Sequence, residues 1–410
     1  MNQIKDYFAH IIDTEMLKDR QIYVCGASIL SIALIKYLRQ CQIDVSGFAD
    51  PSFPVSEDIE RFCGVKVNSL SEMAVAMCKE ALLYICCNTR TEEQKCTAEM
   101  RSLRPDVECV VLRNPVEVYI DVSGNCNLRC RSCQVFNHSR ESFSYKNRGN
   151  MSLELFRRIL DKVQRELPEC LGVFLFNYGE PLLCAQLPEM IRELHDRGMV
   201  AVISSNLSVE CDIKRLMASE PDVFKISLSG FTQAIYETTH NDGNVLLVKS
   251  NLYRLRVLAD RMSSNTGFVV GYHIYNNNGG EELEKVRALS QELGFLFQPR
   301  MANFCNIPKL CGIDPFSEED KQFIRAYYPN ADELLDTQPV SFSEGICRNA
   351  KYRLFLDYDG SIMLCFMVMH RAGVFGNYLD VPLEEIRAWQ KSHWICNRCK
   401  IAGIASIDRK

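Results

Sequence analysis

The sequence predicts an α/β protein: a parallel-sheet unit of Rossmann type, then six β/α units as a partial (β/α)6 TIM-like barrel, then a small cysteine-bearing C-terminal unit. Three observations carry this. Apolar strand runs alternate with helical stretches and short turns, the pattern of parallel sheets with crossover helices. Asn114-Pro115 interrupts the alternation, because proline drives the residue before it out of the helical region. The last segment spaces Cys347, Cys365, Cys396 and Cys399 around a hairpin and a helix. The expected divisions are residues 1–113, 114–312 and 313–410.

In the first division, "QIYVCGAS" reads as a buried strand ending in a turn and "ILSIALIKYLRQC" as a helix with an apolar stripe. "IDVSGFADPS" is a second strand, ending at Asp50, and "GVKVNSLSEM" a strand, a serine cap and a helix start. "ALLYICCNT" is a further strand, "RTEEQKCTAEMRSL" a polar helix and "VECVVL" the closing strand. The turn Gly26-Ala27-Ser28-Ile29-Leu30-Ser31 keeps only the first glycine of a dinucleotide fingerprint. The second glycine normally lets a pyrophosphate approach the backbone, so its replacement by Ser28 speaks against nicotinamide binding. Asp50 stands about where a ribose-binding acid would. The unit resembles the small Rossmann-like units attached to sugar-modifying and polysaccharide-locus enzymes. Two readings stay open for it, a nucleotide or nucleotide-sugar site and a scaffold or docking role.

In the second division "EVYIDVS" is a strand, followed by a cysteine-rich loop. "MSLELFRRILDKVQREL" is a helix with Leu155, Phe156, Ile159, Leu160, Val163 and Leu167 on one face and Ser152 as its N-cap. "GVFLFNYG", "VAVISSN", "VFKISLSG", "GFVVGYHIY" and "LGFLFQPR" supply the other strands. In barrels of this kind the chemistry sits at the C-terminal ends of the strands.

Composition bounds the function. The 410 residues are 47% hydrophobic and 24% charged, an ordinary globular balance with length for a sizeable core. A net charge of −5 argues against a nucleic-acid or acidic-membrane binder. The first residues contain acids and no long apolar run, so no signal peptide is expected, and no stretch approaches the ~20 apolar residues of a membrane span. Twenty cysteines without an export signal point to a reducing cytoplasm, where clustered thiols bind metal or do redox chemistry. Cys25, Cys41, Cys63, Cys78, Cys86, Cys87, Cys96 and Cys109 are scattered among apolar neighbours and read as small core residues.

Cys126, Cys130 and Cys133, in "VSGNCNLRCRSC", have the spacing C-x3-C-x2-C directly after a strand. Cysteine thiolates are the usual ligands of a [4Fe–4S] cubane, and three from one loop hold three irons and leave the fourth open to a chelating molecule. The segment closely resembles the radical S-adenosylmethionine (radical SAM) family. That resemblance implies that the amino and carboxylate groups of S-adenosylmethionine (AdoMet) take the open iron and that reductive cleavage yields a 5′-deoxyadenosyl radical.

Other motifs agree. Asn177-Tyr178-Gly179-Glu180-Pro181 resembles the family's "GGEP" element, which implies that Tyr178, Gly179 and Glu180 hold the methionine ammonium. Ser204-Ser205-Asn206 matches the family's polar "S-T-N" position, which implies cofactor or substrate contacts for Ser205 and Asn206. Ser227-Leu228-Ser229-Gly230 corresponds to "S-x-D-G" with serine for aspartate, and Ser227 is the candidate for the ribose or carboxylate. His240 falls where relatives place an arginine facing the carboxylate; a surface or core histidine is the other reading. Ser132 replaces the aromatic residue that packs near adenine in many relatives. Arg129, Arg131, Arg140, Lys146 and Arg148 against Glu141 make a basic stretch that would attract an anionic substrate or a flavodoxin- or ferredoxin-type electron donor; a solvated loop face is the alternative.

At the C-terminal end, "YRLFLDY", an Asp-Gly turn and "SIMLCF" predict a hairpin, followed by one helix over "PLEEIRAWQKSHWIC". The order Cys347, Gly360, Cys365, helix, Cys396-x2-Cys399 resembles the SPASM or twitch domain of the same family. Four thiolates complete one auxiliary [4Fe–4S] cluster and not two; a four-cysteine zinc site has the same ligand count. Cys305 and Cys311 lie outside this pattern, as structural thiols or as neighbours of the auxiliary site. The expected function is hydrogen abstraction from a small anionic substrate, a sugar or nucleotide-sugar. The rivals are a peptide- or protein-modifying maturase and a non-catalytic iron–sulfur or zinc protein. No catalytic side chain is assigned.

Overall fold

The structure, a computed structural model, describes residues 2–50, 61–113, 116–133, 148–304, 306–335 and 347–404. The expected boundary at 114–115, the basic residues Arg140 and Lys146 with Glu141, and Cys305 lie outside these.

A helix α1 (Gln3–Phe8) leads into β1 (Ile22–Cys25), α2 (Ile29–Gln40) and β2 (Val45–Ala49). A short hairpin, β3 (Arg61–Phe62) and β4 (Val65–Lys66), precedes α3 (Leu70–Ala76), β5 (Leu82–Ile85), α4 (Arg90–Leu103) and β6 (Glu108–Val111). The parallel sheet has the order β2-β1-β5-β6. Ser28, Ser69 and Thr89 each open a helix with a reciprocal capping box, satisfying main-chain donors that have no helical partner. The two serines of the degenerate glycine motif therefore cap α2: Ser28 Oγ accepts from Ser31 N–H, and Ser31 Oγ from Ser28 N–H. Gly26 keeps its place for a steric reason. Its φ is +104°, and a Cβ there would lie 2.7 Å from the Cys86 carbonyl oxygen.

A second sheet holds nine strands. Six run parallel in sequential order: β7 (Glu117–Ile120), β8 (Gly172–Phe174), β9 (Val200–Ser205), β10 (Val223–Ser227), β11 (Gly267–Ile274) and β12 (Leu296–Met301). Helices such as α5 (Leu153–Glu166) and α6 (Leu187–Asp196) cross between them. Ser152 caps α5 by accepting from Leu155 N–H, and Phe156, Ile159, Leu160 and Val163 are its buried stripe. Beyond β7 the sheet continues into β13 (Arg353–Leu356), β14 (Ser361–Met363) and β15 (Val374–Asn377). The predicted hairpin is thus an extension of the main sheet, with β13 parallel to β7 and Arg353 opposite Glu117.

Strand alternation sends successive side chains to opposite faces. Val118, Ile120, Val173, Ala201, Ile203, Phe224, Ile226 and Val270 pack under the crossover helices. The opposite, inner face carries Phe174, Val200, Val202, Val223, Val269 and Leu296, which share one core with α1, α2 and β1 of the first sheet. The N-terminal unit thereby fills the inner face of the long sheet, and the expected single helix after Pro382 is two, Leu383–Ser392 and Trp394–Ile401, divided at the extended His393.

Candidate functional site

The cysteine loop begins where β7 ends, and main-chain contacts clasp it to the loop after β8. Gly179 lies so close to the Ser123 carbonyl that a Cβ would stand 1.7 Å from its oxygen, and Glu180 N–H donates to the Asn125 carbonyl at 2.8 Å. Only glycine permits that approach, and it sets Glu180 beside the thiols. Burial raises Cys126 to about 12 and Cys130 well above its ordinary value; Cys133 and Glu180 push both further, and Cys126 adds to Cys130. The three thiols and the carboxylate thus share one electrostatic neighbourhood.

Glu180 is buried, and burial raises its carboxyl to about 7 despite the donors that hold it. Ser205 Oγ–H donates to Oε1 at 2.7 Å, Asn206 N–H to Oε2 at 2.9 Å and Leu182 N–H to Oε1 at 3.0 Å. Asn206 Nδ2 also reaches the Cys126 sulfur at 3.9 Å and Asn127 Oδ1 at 3.0 Å. The three motifs at the ends of β7, β8 and β9 therefore meet.

Asp121, which sequence reasoning missed, is the reason the Tyr178–Glu180 loop has its shape. Its buried carboxylate accepts main-chain hydrogen bonds from Asn177 at 3.1 Å, Tyr178 at 3.0 Å and Gly179 at 3.0 Å. Burial and the neighbouring Asp357 raise it to about 7, against those three donors. The signal was present as a lone acid closing an apolar strand.

Tyr236 was missed as well. Its ring is buried and stacks on His240 with centroids 4.5 Å apart, and its hydroxyl has no hydrogen-bond partner among the described residues. Cys130, Glu180 and Cys126 all act on that hydroxyl. Asn177 Nδ2 is a second buried polar atom without a partner among the described residues. Two orphaned polar groups beside a ring of thiols and one carboxylate fit a site built to receive a polar ligand together with a thiolate-bound cluster. His240 itself is buried, its Nδ1 within 3.0 Å of the Thr239 hydroxyl, and burial with nearby His273 lowers it to about 3. It is a neutral imidazole, which meets a carboxylate through a hydrogen bond and not as an ion pair. Ser227 ends β10, and Ser229 Oγ accepts from His273 N–H at 3.1 Å.

The C-terminal cysteines line one cavity. Cys347 caps the short helix Arg348–Tyr352, Cys365 follows β14, and Cys396 and Cys399 sit one turn apart on Trp394–Ile401. Burial raises Cys365 to about 12, with Cys347 and Cys396 adding to it, and Asn349 Nδ2 donates to its sulfur at 3.5 Å. Cys311 hydrogen-bonds Cys399, so the thiol outside the motif is a neighbour of this site. A single tetrahedral metal with bonds of about 2.3 Å draws its sulfurs to about 3.8 Å apart. Among the described residues only Cys25, Cys87 and Cys96 stand so close, with all three sulfurs within 4.8 Å of one another. Those three, read from the sequence as scattered, converge from β1, the end of β5 and α4 inside the apolar core of the first sheet. Neither the Cys126 trio nor the C-terminal quartet has the close spacing of a mononuclear centre, whereas a cubane seats each thiolate on a separate iron.

No helix among the described residues is long and apolar enough to cross a membrane. No protein-family model matches the chain. Over 124 residues it is 29% identical to the tungsten-containing aldehyde ferredoxin oxidoreductase cofactor-modifying protein of Pyrococcus furiosus, a match covering 30% of this chain and 32% of that protein. The chain thus spans about a third of that relative's length in the match. Among solved structures it is similar to anSMEcpe with bound AdoMet (16% identity, TM-score 0.46, 72% of this chain and 84% of that one). BtrN in complex with AdoMet and 2-DOIA follows at 14% identity and TM-score 0.38, covering 72% and 91%. Streptococcus suis SuiB bound to its precursor peptide SuiA stands at 15% identity and TM-score 0.38, covering 75% and 71%. AdoMet is bound in the anSMEcpe and BtrN structures.

Proposed function

We propose that this chain is a radical SAM enzyme built as a Rossmann-like unit, a partial (β/α)6 barrel and a twitch-like segment with one auxiliary cluster. Cys126, Cys130 and Cys133 would hold a [4Fe–4S] cluster, and Cys347, Cys365, Cys396 and Cys399 an auxiliary one. The observation that carries the reading is the clasp between the two loops: Gly179 against the Ser123 carbonyl, with Glu180 held beside the thiols. When bound, cluster and AdoMet together supply a 5′-deoxyadenosyl radical by one-electron reduction.

The chain's own residues do the positioning. Ser205 and Asn206 fix Glu180 so that its carboxylate offers an ammonium a charge-assisted partner. Asp121 holds the Asn177–Gly179 main chain in register. Tyr178, Ser227, the neutral His240 and the unpaired Tyr236 hydroxyl complete a polar wall for the rest of AdoMet. Exposed Arg129 and Arg131 flank the loop and suit a flavodoxin- or ferredoxin-type donor. In this reading the substrate is a small anionic metabolite, a sugar or nucleotide-sugar, and the setting is cytoplasmic.

Anaerobic reconstitution with AdoMet and dithionite tests this. The protein should release 5′-deoxyadenosine and a Cys130→Ala variant should not; an unreactive wild type refutes the reading. Iron near about eight per chain supports two clusters, and about four with one zinc assigns the C-terminal site to zinc.

A further inference from the structure

In a doubly wound sheet the ligand crevice lies at the carboxyl ends of the strands where the order reverses. In the order β2-β1-β5-β6 that point falls between β1 and β5, beneath the first residues of α2 and α4. This crevice opens into a cavity of about 290 Å³, whose other wall is the inner face of the long sheet. The cavity thus joins the N-terminal unit to the strands that carry the candidate AdoMet site.

Three acids and three cations line it, and among the described residues only Glu117 and Arg353 of these form an ion pair. Each acid has a partner. Asp50 accepts from Ala27 N–H, Glu92 accepts from Thr89 N–H at 3.2 Å, and Glu117 pairs with Arg353 at 2.6 Å. Two cations in the same wall, the half-buried Lys225 and the exposed Arg300, make no ion pair among the described residues. Burial, reinforced by Arg300, lowers the Lys225 ammonium to about 8, and its Nζ stands 5.8 Å from the Phe174 ring centre. Glu117 and Asp50 act on the ammonium in the opposite sense, but neither forms an ion pair with it among the described residues. The first turn of α2, with no acidic residue, adds the positive end of its dipole.

We propose that this cavity is the substrate subsite and that it takes a phosphorylated small molecule, its phosphate held between Lys225 and Arg300 at the start of α2. A dianionic phosphate matches two cations. The volume is at the small end of ligand pockets and suits a sugar phosphate better than a dinucleotide. Gln298 offers an amide for hydroxyl groups, and the apolar lining is closed by the stacked rings of Tyr119 and Phe174. Lys225 and Ser227 share one face of β10, two residues or about 6.6 Å apart. A ligand anchored at Lys225 therefore extends toward the AdoMet wall. This inference rests on the radical SAM reading for its role as substrate, but not for the binding itself.

The test is calorimetry and thermal unfolding of the full chain with glucose 1-phosphate, inorganic pyrophosphate, UDP-glucose and glucose. Glucose 1-phosphate at millimolar concentration should bind and raise the melting temperature, and Lys225→Met and Arg300→Gln should each weaken it about tenfold or more. Pyrophosphate binding that is also lost in both variants supports a phosphate site, and tighter UDP-glucose binding extends it to a nucleotide-linked sugar. Failure of all three phosphorylated probes, equal binding of plain glucose, or indifference to both substitutions overturns the proposal. Lys225→Met removes a half-buried charge that makes no ion pair among the described residues, so an unaltered melting temperature without ligand shows that the variant folds. Wild-type release of 5′-deoxyadenosine with no probe binding sinks this inference alone; probe binding with no release sinks only the radical reading.

Discussion

The Tyr178 hydroxyl donates to the main-chain carbonyl of Cys365 at 3.3 Å and also to that of Phe366. One side chain thus ties the loop that holds Glu180 to the segment that carries a candidate ligand of the auxiliary cluster. A second tie, to the turn between β13 and β14, is made where Arg148, after the cysteine loop, pairs with Asp357.

Tyr178→Phe keeps the ring and removes the link. It takes this donor from the half-buried Phe366 carbonyl, a loss of about 1–2 kcal/mol, while the Cys365 carbonyl keeps Val368 N–H at 3.0 Å. Chemical denaturation should show that decrease, while iron content stays at the wild-type level. A variant as stable as wild type would mean that the two regions are held together by packing alone.

Asp121→Asn retains the shape but gives the three main-chain donors at 177–179 one acceptor oxygen in place of two, and turns an amide N–H toward them. We expect a loss of about 1.5–3 kcal/mol. The pH dependence carries its own sign. Asp121 is raised to about 7 in the folded chain, so between about pH 4 and 7 the native state binds more protons than the unfolded one. Its contribution is present at low pH and lost as pH rises through 7. The gap between wild type and Asp121→Asn should therefore be wider at pH 5 than at pH 8; a gap that grows with pH contradicts it.

Much of this was legible before the structure. Ser152 and a serine in "VNSLSEM" read as caps because a short hydroxyl side chain followed by a periodic apolar run has few other uses, whereas Ser28, which reads as a lost glycine, and Thr89 show their capping role only in the structure. That Cys347, Cys365, Cys396 and Cys399 come to line one cavity was legible in their spacing. What stayed hidden depends on contacts between distant segments. Nothing local in Asp121 says that it caps a loop 56 to 58 residues away, and nothing in Cys25, Cys87 and Cys96 says that two strand ends and a helix bring them together. The break at His393 was missed because the periodicity continues across it; its side chain accepting from Ile395 N–H starts a new helix there. The docking of α2 onto the inner face of the long sheet is likewise a tertiary fact, and the Lys225 cavity exists only because of it.

Cys347→Ala should remove about four irons per chain and leave the Cys126 cluster in place, because its three ligands lie in a separate loop. Cys311→Ser should keep the iron of both, since Cys311 contacts Cys399 from outside the four-cysteine set. Iron and sulfide analysis of the two reconstituted variants separates the roles. Loss of iron in Cys311→Ser with retention in Cys347→Ala would exchange the two thiols.

Glu180 gives AdoMet binding a predictable pH profile. Burial raises the free carboxyl to about 7, and an ammonium partner requires its ionised form. Below pH 7 the site must release a proton before it binds, so affinity should fall by up to about tenfold for each pH unit, the limit for one linked proton. Above about 7.7 a ligand α-amino group begins to lose its own charge, which closes the window from the other side. Affinity should peak between those values. In Glu180→Gln the amide cannot titrate, and Ser205 and Asn206 lose a charged acceptor. That variant should bind AdoMet more weakly and with a flat profile from about pH 6 to 7.5. Equilibrium binding across that range decides it: a wild-type profile that is also flat would place the ammonium elsewhere than at Glu180.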